Sequence, residues 1–331
     1  RRRHNENDDD ANDDANDAGH DGKHGRRRIR RVFRNDVRIA HLAGIIPIAG
    51  QKDNFKLPWH DCLMPISSNY LAVERAVVEC AYAGCETIWI VCNDDMEPLI
   101  RYRLGDYVYD PVWMGRNRYG KNKKNDKKEI PIFYVPIHPN DRDKRDCLSW
   151  SILHGAVTAY HIGAQISKWV SPQRYYATFP YSVYDPSVVR QHRDDISSKK
   201  GFALSYEGQT VREGKFLGFT FDEKDYFQFR DEIKKGVGEY YSHDGPGFPK
   251  KKRPIEERWS ARHFSLSDVF SVMDTDEKKV TNVDWYYNID NWENYCYYLS
   301  SEERSTITRP SEKILSPREF NPIGVDTEDD S

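Results

Sequence analysis

The sequence has no CxxC pair among its six cysteines, Cys62, Cys80, Cys85, Cys92, Cys147 and Cys296. A closely spaced zinc or redox dithiol is thereby excluded. Cys80, Cys85 and Cys92 lie in apolar helix or strand contexts, so buried, reduced thiols are expected rather than disulfides or a metal centre. No apolar run approaches the roughly 18 residues that a membrane-spanning helix needs, so no membrane association is expected. No secretory signal is visible, and a reducing cytoplasm is the expected compartment. A charge bias is lacking too. The 50 Lys and Arg residues against 53 Asp and Glu give a net charge of -3, which predicts neither nucleic-acid binding nor its absence. Apolar residues reach only 38%, low for a globular chain, and the deficit is concentrated in polar tails and loops. What the sequence has in quantity is aromatics, with 21 Tyr and 8 Trp, and 331 residues, enough for one large α/β domain or two smaller ones. No internal repeat is present.

Residues 1–36 are expected to form a disordered, charged tail. RRRHNENDDDANDDANDAGHDGKHGRRRIRR places an Asn/Asp-rich core between two arginine clusters, with almost nothing apolar to offset the entropy of ordering. Its acidic run lacks the glycine and terminal glutamate spacing of an EF-hand loop, so calcium binding is not expected. The Arg26–Arg31 cluster reads as part of the solvated tail rather than as a polyanion site.

The stretch from Ile45 to Asp95 organises the rest. Ile45–Ile48 reads as a buried strand closed by Ala49-Gly50. Tyr70–Ala83 carries Leu71, Val73, Ala76, Val77, Cys80 and Ala81 at helical spacing, and Gly84 stands where a helix C-cap glycine belongs. Thr87–Cys92 is a second buried strand. The unit is βαβ, so the strands are expected to be parallel with a right-handed crossover. Met96–Tyr102 opens a helix with Pro98 in its first turn. Ile130–Ile137 reads as a third strand, its Pro131 and Pro136 pointing to strand ends or a sheet edge. Leu148–Ile166 is a clear helix, and its His154 and His161, seven apart, read as packing or surface residues. Tyr175–Val183 reads as a strand, and Asp185-Pro186-Ser187 as the start of a short helix to Arg193. Phe202–Phe221 alternates like a β-hairpin or meander. Helices are expected at Tyr226–Lys235, at Leu266–Met273 with Ser265 as N-cap, and at Asp290–Leu299. Val280–Trp285 reads as a strand, Tyr241–Arg262 as a loop, and 301–331 as a flexible acidic tail. The basic segments Arg116–Glu129 and Lys250–Arg253 read as solvated insertions; nucleic-acid binding through them is conceivable but not favoured. The expected architecture is one α/β domain over residues 37–300, a three-layer α/β/α Rossmann-like sandwich with a small antiparallel β insertion.

The motifs Ile46-Pro47-Ile48-Ala49-Gly50, Cys62-Leu63-Met64-Pro65-Ile66, Val73–Gly84 and Glu86–Val91 follow one another in a telling order. So do Ser149–Ala156, Tyr175–Tyr181 and Asp284–Leu299. In order and spacing they resemble the sugar-1-phosphate nucleotidylyltransferases, a family with a glycosyltransferase-A-type nucleotidyltransferase sheet, and most of all its glucose-1-phosphate uridylyltransferase members. The resemblance spans roughly residues 39–300 and is more specific for fold than for activity. It implies transfer of a nucleotidyl group from a nucleoside triphosphate to a sugar phosphate, with Mg2+ and release of pyrophosphate.

That chemistry calls for glycines that let backbone wrap the phosphates, cations that offset their charge, and carboxylates that hold Mg2+. The resemblance puts Ala49, Gly50 and Gln51 in the phosphate turn, and Ser149 and Ser151 at the base-binding edge. His138, with Arg142, Lys144 and Arg145 after it, follows the third strand at the edge where open α/β sheets bind ligands. The family's second loop glycine falls at Lys52, its arginine at or near Asn54 and its lysine at Asp61. Lys52 and Lys56 are the cations left to act as catalytic residues, with ordinary solvated lysines as the plain alternative. The strand-end metal aspartate falls at Tyr181, leaving Asp185 as the nearest carboxylate, and the closing motif gives Asn288 with Asp290 two residues on. Asp185 and Asp290 are therefore the metal-ligand candidates, each with helix capping as its alternative. Three functions follow: an active nucleotidylyltransferase; a descendant that keeps the fold as a binding or structural module; and, ranked last, a nucleotide-sugar-dependent glycosyltransferase using Asn93-Asp94-Asp95 or Asp284.

Overall fold

A computed structural model describes residues 41–50, 54–112, 128–138, 141, 147–166, 171–242, 264–310 and 314–315. The expected N-terminal tail and the basic segments 116–127 and 250–253 lie outside the described residues.

The first strand, β1 (Leu42–Pro47), is buried along its whole length. After it come the two short strands β2 (Pro65–Ser67) and β3 (Tyr70–Leu71), helix α1 (Ala72–Ala83) and strand β4 (Thr87–Val91). β1 and β4 run parallel, with Ile45 opposite Trp89, as the βαβ pattern predicts. α1 ends where its sequence says it should. Gly84 takes φ 89°, a left-handed conformation open to glycine, and the Cys85 N–H donates back to the Cys80 carbonyl at 3.1 Å.

Further elements follow in chain order: α2 (Glu97–Leu104), β5 (Tyr107–Tyr109), β6 (Glu129–Val135), α3 (Leu148–Ile166), β7 (Arg174–Ala177) and β8 (Ser182–Val183). Next come α4 (Ser187–Gln191), α5 (Arg193–Ile196), β9 (Gly201–Ser205), β10 (Phe219–Phe221) and α6 (Glu223–Ser242). The last are α7 (Leu266–Phe270), β11 (Lys278–Asn282), β12 (Tyr287–Asn288) and α8 (Trp292–Leu299). Eight strands form one sheet in the order β11-β9-β10-β7-β1-β4-β6-β5. β10 and β5 run antiparallel to their neighbours, and the other pairs are parallel. Adjacent residues of β1 show that helices cover both faces. A Cβ on Gly44 would lie 2.7 Å from Cys80 Sγ of α1, while the Ile45 side chain on the opposite face sits against Gly155 of α3. The fold is the expected three-layer α/β/α sandwich. No helix among the described residues is long and apolar enough to cross a membrane.

Pro131 lies near the start of β6 and Pro136 directly follows its end, so of the two sequence readings the strand-end one holds; β4 and the short β5 flank the strand. Segment 202–221 forms the expected antiparallel pair, β9 with β10, which joins the main sheet, with a 3-10 turn at Val211–Glu213 between them; the small antiparallel ribbons are β2–β3 and β8–β12. The structure departs from the sequence reading in two places. The expected strand 175–183 breaks after Ala177, and Ser182–Val183 turns away to pair with β12. The domain also runs past residue 300. Ile307, Ile314 and Leu315 are buried, Arg309 pairs with Glu74 at 3.2 Å, and the Tyr109 N–H donates to the Ile314 carbonyl at 3.1 Å. Apolar Ile307, Ile314 and Leu315 are the local signal in an otherwise polar segment.

Candidate functional site

The chain moves from β1 outward through β4 and β6, then returns to lay β7 on the other side of β1. Strand order reverses there, and open α/β sheets bind ligands in the crevice beyond the carboxyl ends of such a pair. The candidate site is therefore formed by the segments leaving β1 and β7, with those leaving β4 and β6 and the start of α3 beside them.

The turn leaving β1 is firmly held. The N–H groups of Ile48 and Ala49 both donate to the Val91 carbonyl at 2.9 Å, and Ser151 Oγ donates to the Ala49 carbonyl at 2.6 Å. Gly50 takes φ 85°, and a Cβ there would stand 2.6 Å from the backbone N, Cα and C of Cys147. This turn thus lies directly on the chain entering α3. Ala49, Gly50 and Ser151 come together here. Ser149 is fully buried close by in α3, and its Oγ has no hydrogen-bond partner among the described residues. Gln51 and Lys52 lie outside the described residues.

The loop that follows is tied down rather than open. Asn54 donates its backbone N–H to Asp61 Oδ2 at 3.1 Å and its side-chain amide to the Asp290 carbonyl at 2.8 Å. Phe55 packs edge-on against Trp292 and Tyr295 of α8, with ring centres 6.2 and 5.7 Å away. Lys56 is exposed, at φ 53°. Asp61, which the sequence resemblance sets against the family's lysine, is buried at 2% exposure. His60 Nδ1 accepts the Cys62 N–H at 3.2 Å, and its ring lies 6.4 Å from that of Tyr181.

Tyr181 occupies the crevice itself. It is buried, and its hydroxyl donates to the Ile48 carbonyl at 3.2 Å, joining the segment beyond β7 to the end of β1. Burial pushes its phenol well up, as it does the Cys62 thiol, and neighbouring Asp61 adds to both shifts. Burial also raises the Cys92 thiol to about 12, helped by Glu97, Asp94 and Asp95 beyond β4. These groups are neutral at ordinary pH, and the acids around them oppose any added negative charge.

The two metal candidates are each engaged by neighbours in the chain. Asp185 accepts the Ser187 N–H with Oδ1 at 2.8 Å and the Ser187 hydroxyl with Oδ2 at 2.6 Å, so both its oxygens serve the start of α4. Asp290 Oδ1 accepts from the Asn291 side chain at 3.0 Å, and it is Asn291, not Asp290, that caps α8. Among the described residues, no group of three or more His, Cys, Asp or Glu is arranged to hold a metal ion. His138 is exposed beyond β6. Nearby, His154 Nε2 lies 3.0 Å from the Pro136 carbonyl, and burial depresses its pKa.

The sequence reading missed the network beneath the crevice. Arg75 and Glu79 of α1 are wholly buried and pair at 2.8 Å. Arg75 Nη2 also donates to the Phe179 carbonyl at 2.6 Å, and its guanidinium lies 4.6 Å above the Tyr184 ring. Glu79 accepts the hydroxyls of Tyr176 at 2.6 Å and Tyr184 at 2.7 Å. The network fixes where the chain leaves β7. Its one signal was an Arg–Glu pair at i, i+4 in a helix that is otherwise apolar on several faces.

No protein-family model matches the sequence, and no curated protein matches it. Solved structures similar to the chain include a putative glucose-1-phosphate thymidylyltransferase from Bacillus anthracis in complex with a sucrose. It is 10% identical, with 82% of this chain and 98% of that one covered and a TM-score of 0.49. A UDP-glucose pyrophosphorylase complexed with UDP-glucose is 14% identical, with 78% and 97% covered and a TM-score of 0.45. A nucleoside-diphosphate-sugar pyrophosphorylase from Vibrio cholerae is 11% identical, with 78% and 100% covered and a TM-score of 0.40.

Proposed function

We propose that this chain is a nucleotidyltransferase-like α/β protein whose site no longer carries metal-assisted nucleotidyl transfer, and which serves as a binding or structural module. One observation carries the reading. Tyr181, at the position of the family's metal-binding aspartate, is buried and bonded to the Ile48 carbonyl across the crevice. A phenol held neutral by burial supplies no carboxylate for a divalent cation. Asp61 at the lysine position supports the same reading, since a carboxylate there repels a triphosphate where the lysine would attract it. In the family's chemistry the protein positions the reactants and offsets charge. The parts kept here, the Ala49-Gly50 turn and its Ser151 anchor, position; the parts replaced offset charge.

The test is a pyrophosphate-release assay with the four nucleoside triphosphates, Mg2+ and a panel of sugar 1-phosphates, run beside thermal shifts with nucleotide sugars lacking Mg2+. No pyrophosphate with any pair is the expected result. A nucleotide sugar that raises Tm then identifies a binding module, because a ligand specific for the native state stabilises it by mass action. No shift leaves the structural role. Turnover above the no-enzyme control would overturn the proposal in favour of active nucleotidyl transfer, with Lys52 and Lys56 as the cations to substitute first.

A further inference from the structure

At the opposite end of the sheet from the candidate site, a cavity of about 670 Å3 opens between the starts of β7, β9 and β11. Its walls carry opposite charge. One is the turn into β9, with Lys199 and Lys200, backed by Arg174 at the start of β7. Arg174 donates to the carbonyls of Lys200 at 3.1 Å and Lys199 at 2.6 Å, and Ser198 Oγ adds a bond to the Lys200 carbonyl at 2.9 Å, so this wall is built and held. The facing wall is the turn into β11, with Asp274, Asp276 and Glu277. It is held as well: Asp274 Oδ1 accepts the Asp276 N–H at 2.9 Å, and Arg212 binds Thr275 Oγ1 at 2.9 Å.

β9 and β11 are adjacent strands, with Gly201 opposite Lys278. Even so, no ion pair among the described residues joins a cation of the first wall to an acid of the second. The ion pairs that do line the cavity are internal to its floor and side: Lys278 with Asp225 at 2.7 Å, and Lys279 with Asp195 at 2.5 Å. At the same helix start as Asp225, Asp222 is engaged in capping, its Oδ1 accepting the N–H of Lys224 at 2.8 Å. Arg174 is half-buried with no carboxylate hydrogen-bonded to it; burial lowers its pKa, and the nearby Asp222 and Asp225 pull the other way. The cleft thus presents a cationic wall and an acidic wall that no ion pair joins among the described residues. A singly charged ligand would be attracted by one wall and repelled by the other. A ligand with a charge of each sign at its two ends gains from both.

We propose that this cleft binds a small zwitterion, its acid group toward Arg174, Lys199 and Lys200 and its ammonium group toward Asp274, Asp276 and Glu277. The site stands apart from the carboxyl-edge crevice, and neither nucleotide binding nor its absence there bears on it.

The test is thermal unfolding of the full chain at fixed ionic strength, with calorimetric titration alongside. Phosphoethanolamine and γ-aminobutyrate are the zwitterion probes, one carrying phosphate and the other carboxylate. Inorganic phosphate and ethylamine are the half-ligand controls. At least one zwitterion is expected to give a saturable rise in Tm that neither control gives. Charge reversal of the exposed residues, as Lys199→Glu with Lys200→Glu or separately as Asp276→Lys, is expected to weaken its binding by about tenfold or more, near 1.4 kcal/mol, with the unliganded Tm little changed. The proposal is overturned by no saturable rise with either zwitterion. An equal rise with phosphate alone would make this an anion site only and also overturn it. So would zwitterion binding that the reversals leave intact.

Discussion

Replacing Glu79 by glutamine keeps the shape of the side chain and removes one charge from a site with no access to water. Both Arg75 and Glu79 have 0% side-chain exposure, so solvent cannot compensate the arginine left behind. Removing one partner of such a pair costs about 3–5 kcal/mol, mostly from the stranded charge. Arg75 keeps the Phe179 carbonyl through Nη2 and the Tyr184 ring 4.6 Å away, neither of them a carboxylate, and its Nε has no hydrogen-bond partner among the described residues. The glutamine amide can also accept only one of the two tyrosine hydroxyls that Glu79 now accepts on separate oxygens. For a domain of this size, about 2–4 °C of Tm is lost per kcal/mol, so Glu79→Gln is expected to lower Tm by roughly 6–20 °C. Urea unfolding followed by circular dichroism should show the midpoint falling with the slope unchanged. An apolar double variant, Arg75→Met with Glu79→Leu, is not expected to recover the loss, because Tyr176, Tyr184 and the Phe179 carbonyl then lack partners at about 1–3 kcal/mol each. A loss under about 1 kcal/mol in the single variant would refute the reasoning, since it would mean that the charge pair is not desolvated.

Gly50→Ala is expected to cost about 3 kcal/mol or more, from the left-handed backbone and from a Cβ 2.6 Å from the Cys147 backbone, and urea midpoints check it. Asp185→Ala should cost about 0.5–2 kcal/mol as a lost helix-start partner and leave any Tm response to Mg2+ and nucleotides unchanged; a lost response would restore Asp185 as a ligand. His154 has a folded-state pKa pressed below its ordinary 6.5 by burial, with Asp141 pulling the other way and His138 adding to the depression. The folded protein therefore binds fewer protons than the unfolded chain just below 6.5, and stability is lost as pH falls from there through the depressed pKa. His154→Gln should flatten that part of the stability–pH curve, and denaturant midpoints from pH 5 to 8 measure it.

The frame of the fold was readable because local signals agreed. The period of α1, its C-cap at Gly84 and the apolar runs on either side all name the same βαβ unit, and Leu148–Ile166 appears as one uninterrupted helix. What was not legible was set by distant partners. Nothing near Pro131 says that β5 covers β6, and nothing near Phe202 says that β11 waits to pair with β9. At the candidate site the sequence named the Ala49-Gly50 turn and Ser151 as nucleotide-binding candidates, and the bond between Ser151 and the Ala49 carbonyl appears only in the structure. The sequence placed the metal on Asp185 and Asp290 because carboxylates near a strand end look alike until their hydrogen-bond partners are visible. Tyr181 was read as a departure from a motif. Its meaning depends on the Ile48 carbonyl, 133 residues away in the chain. The charged cleft at the other end of the sheet is invisible in sequence, since its walls are two turns some 75 residues apart that become neighbours only through strand pairing.

The contacts that α8 and the segment after it make with the start of the domain bear on how the chain reaches this state. Tyr295 donates its hydroxyl to the Pro65 carbonyl, Tyr298 to that of Ile66, and Arg309 reaches Glu74; each bond spans at least 230 residues. β2 and the first turn of α1 are thus completed by some of the last described residues to leave the ribosome. The opening βαβ unit, self-contained on paper, remains unfinished through most of synthesis, with Glu74 neutralised by Arg103 alone and the apolar floor of β2 uncovered. Such long closures slow folding and prolong exposure of sheet surface. A shortened chain ending near residue 285 is therefore expected to accumulate as a sticky intermediate rather than as a smaller folded domain.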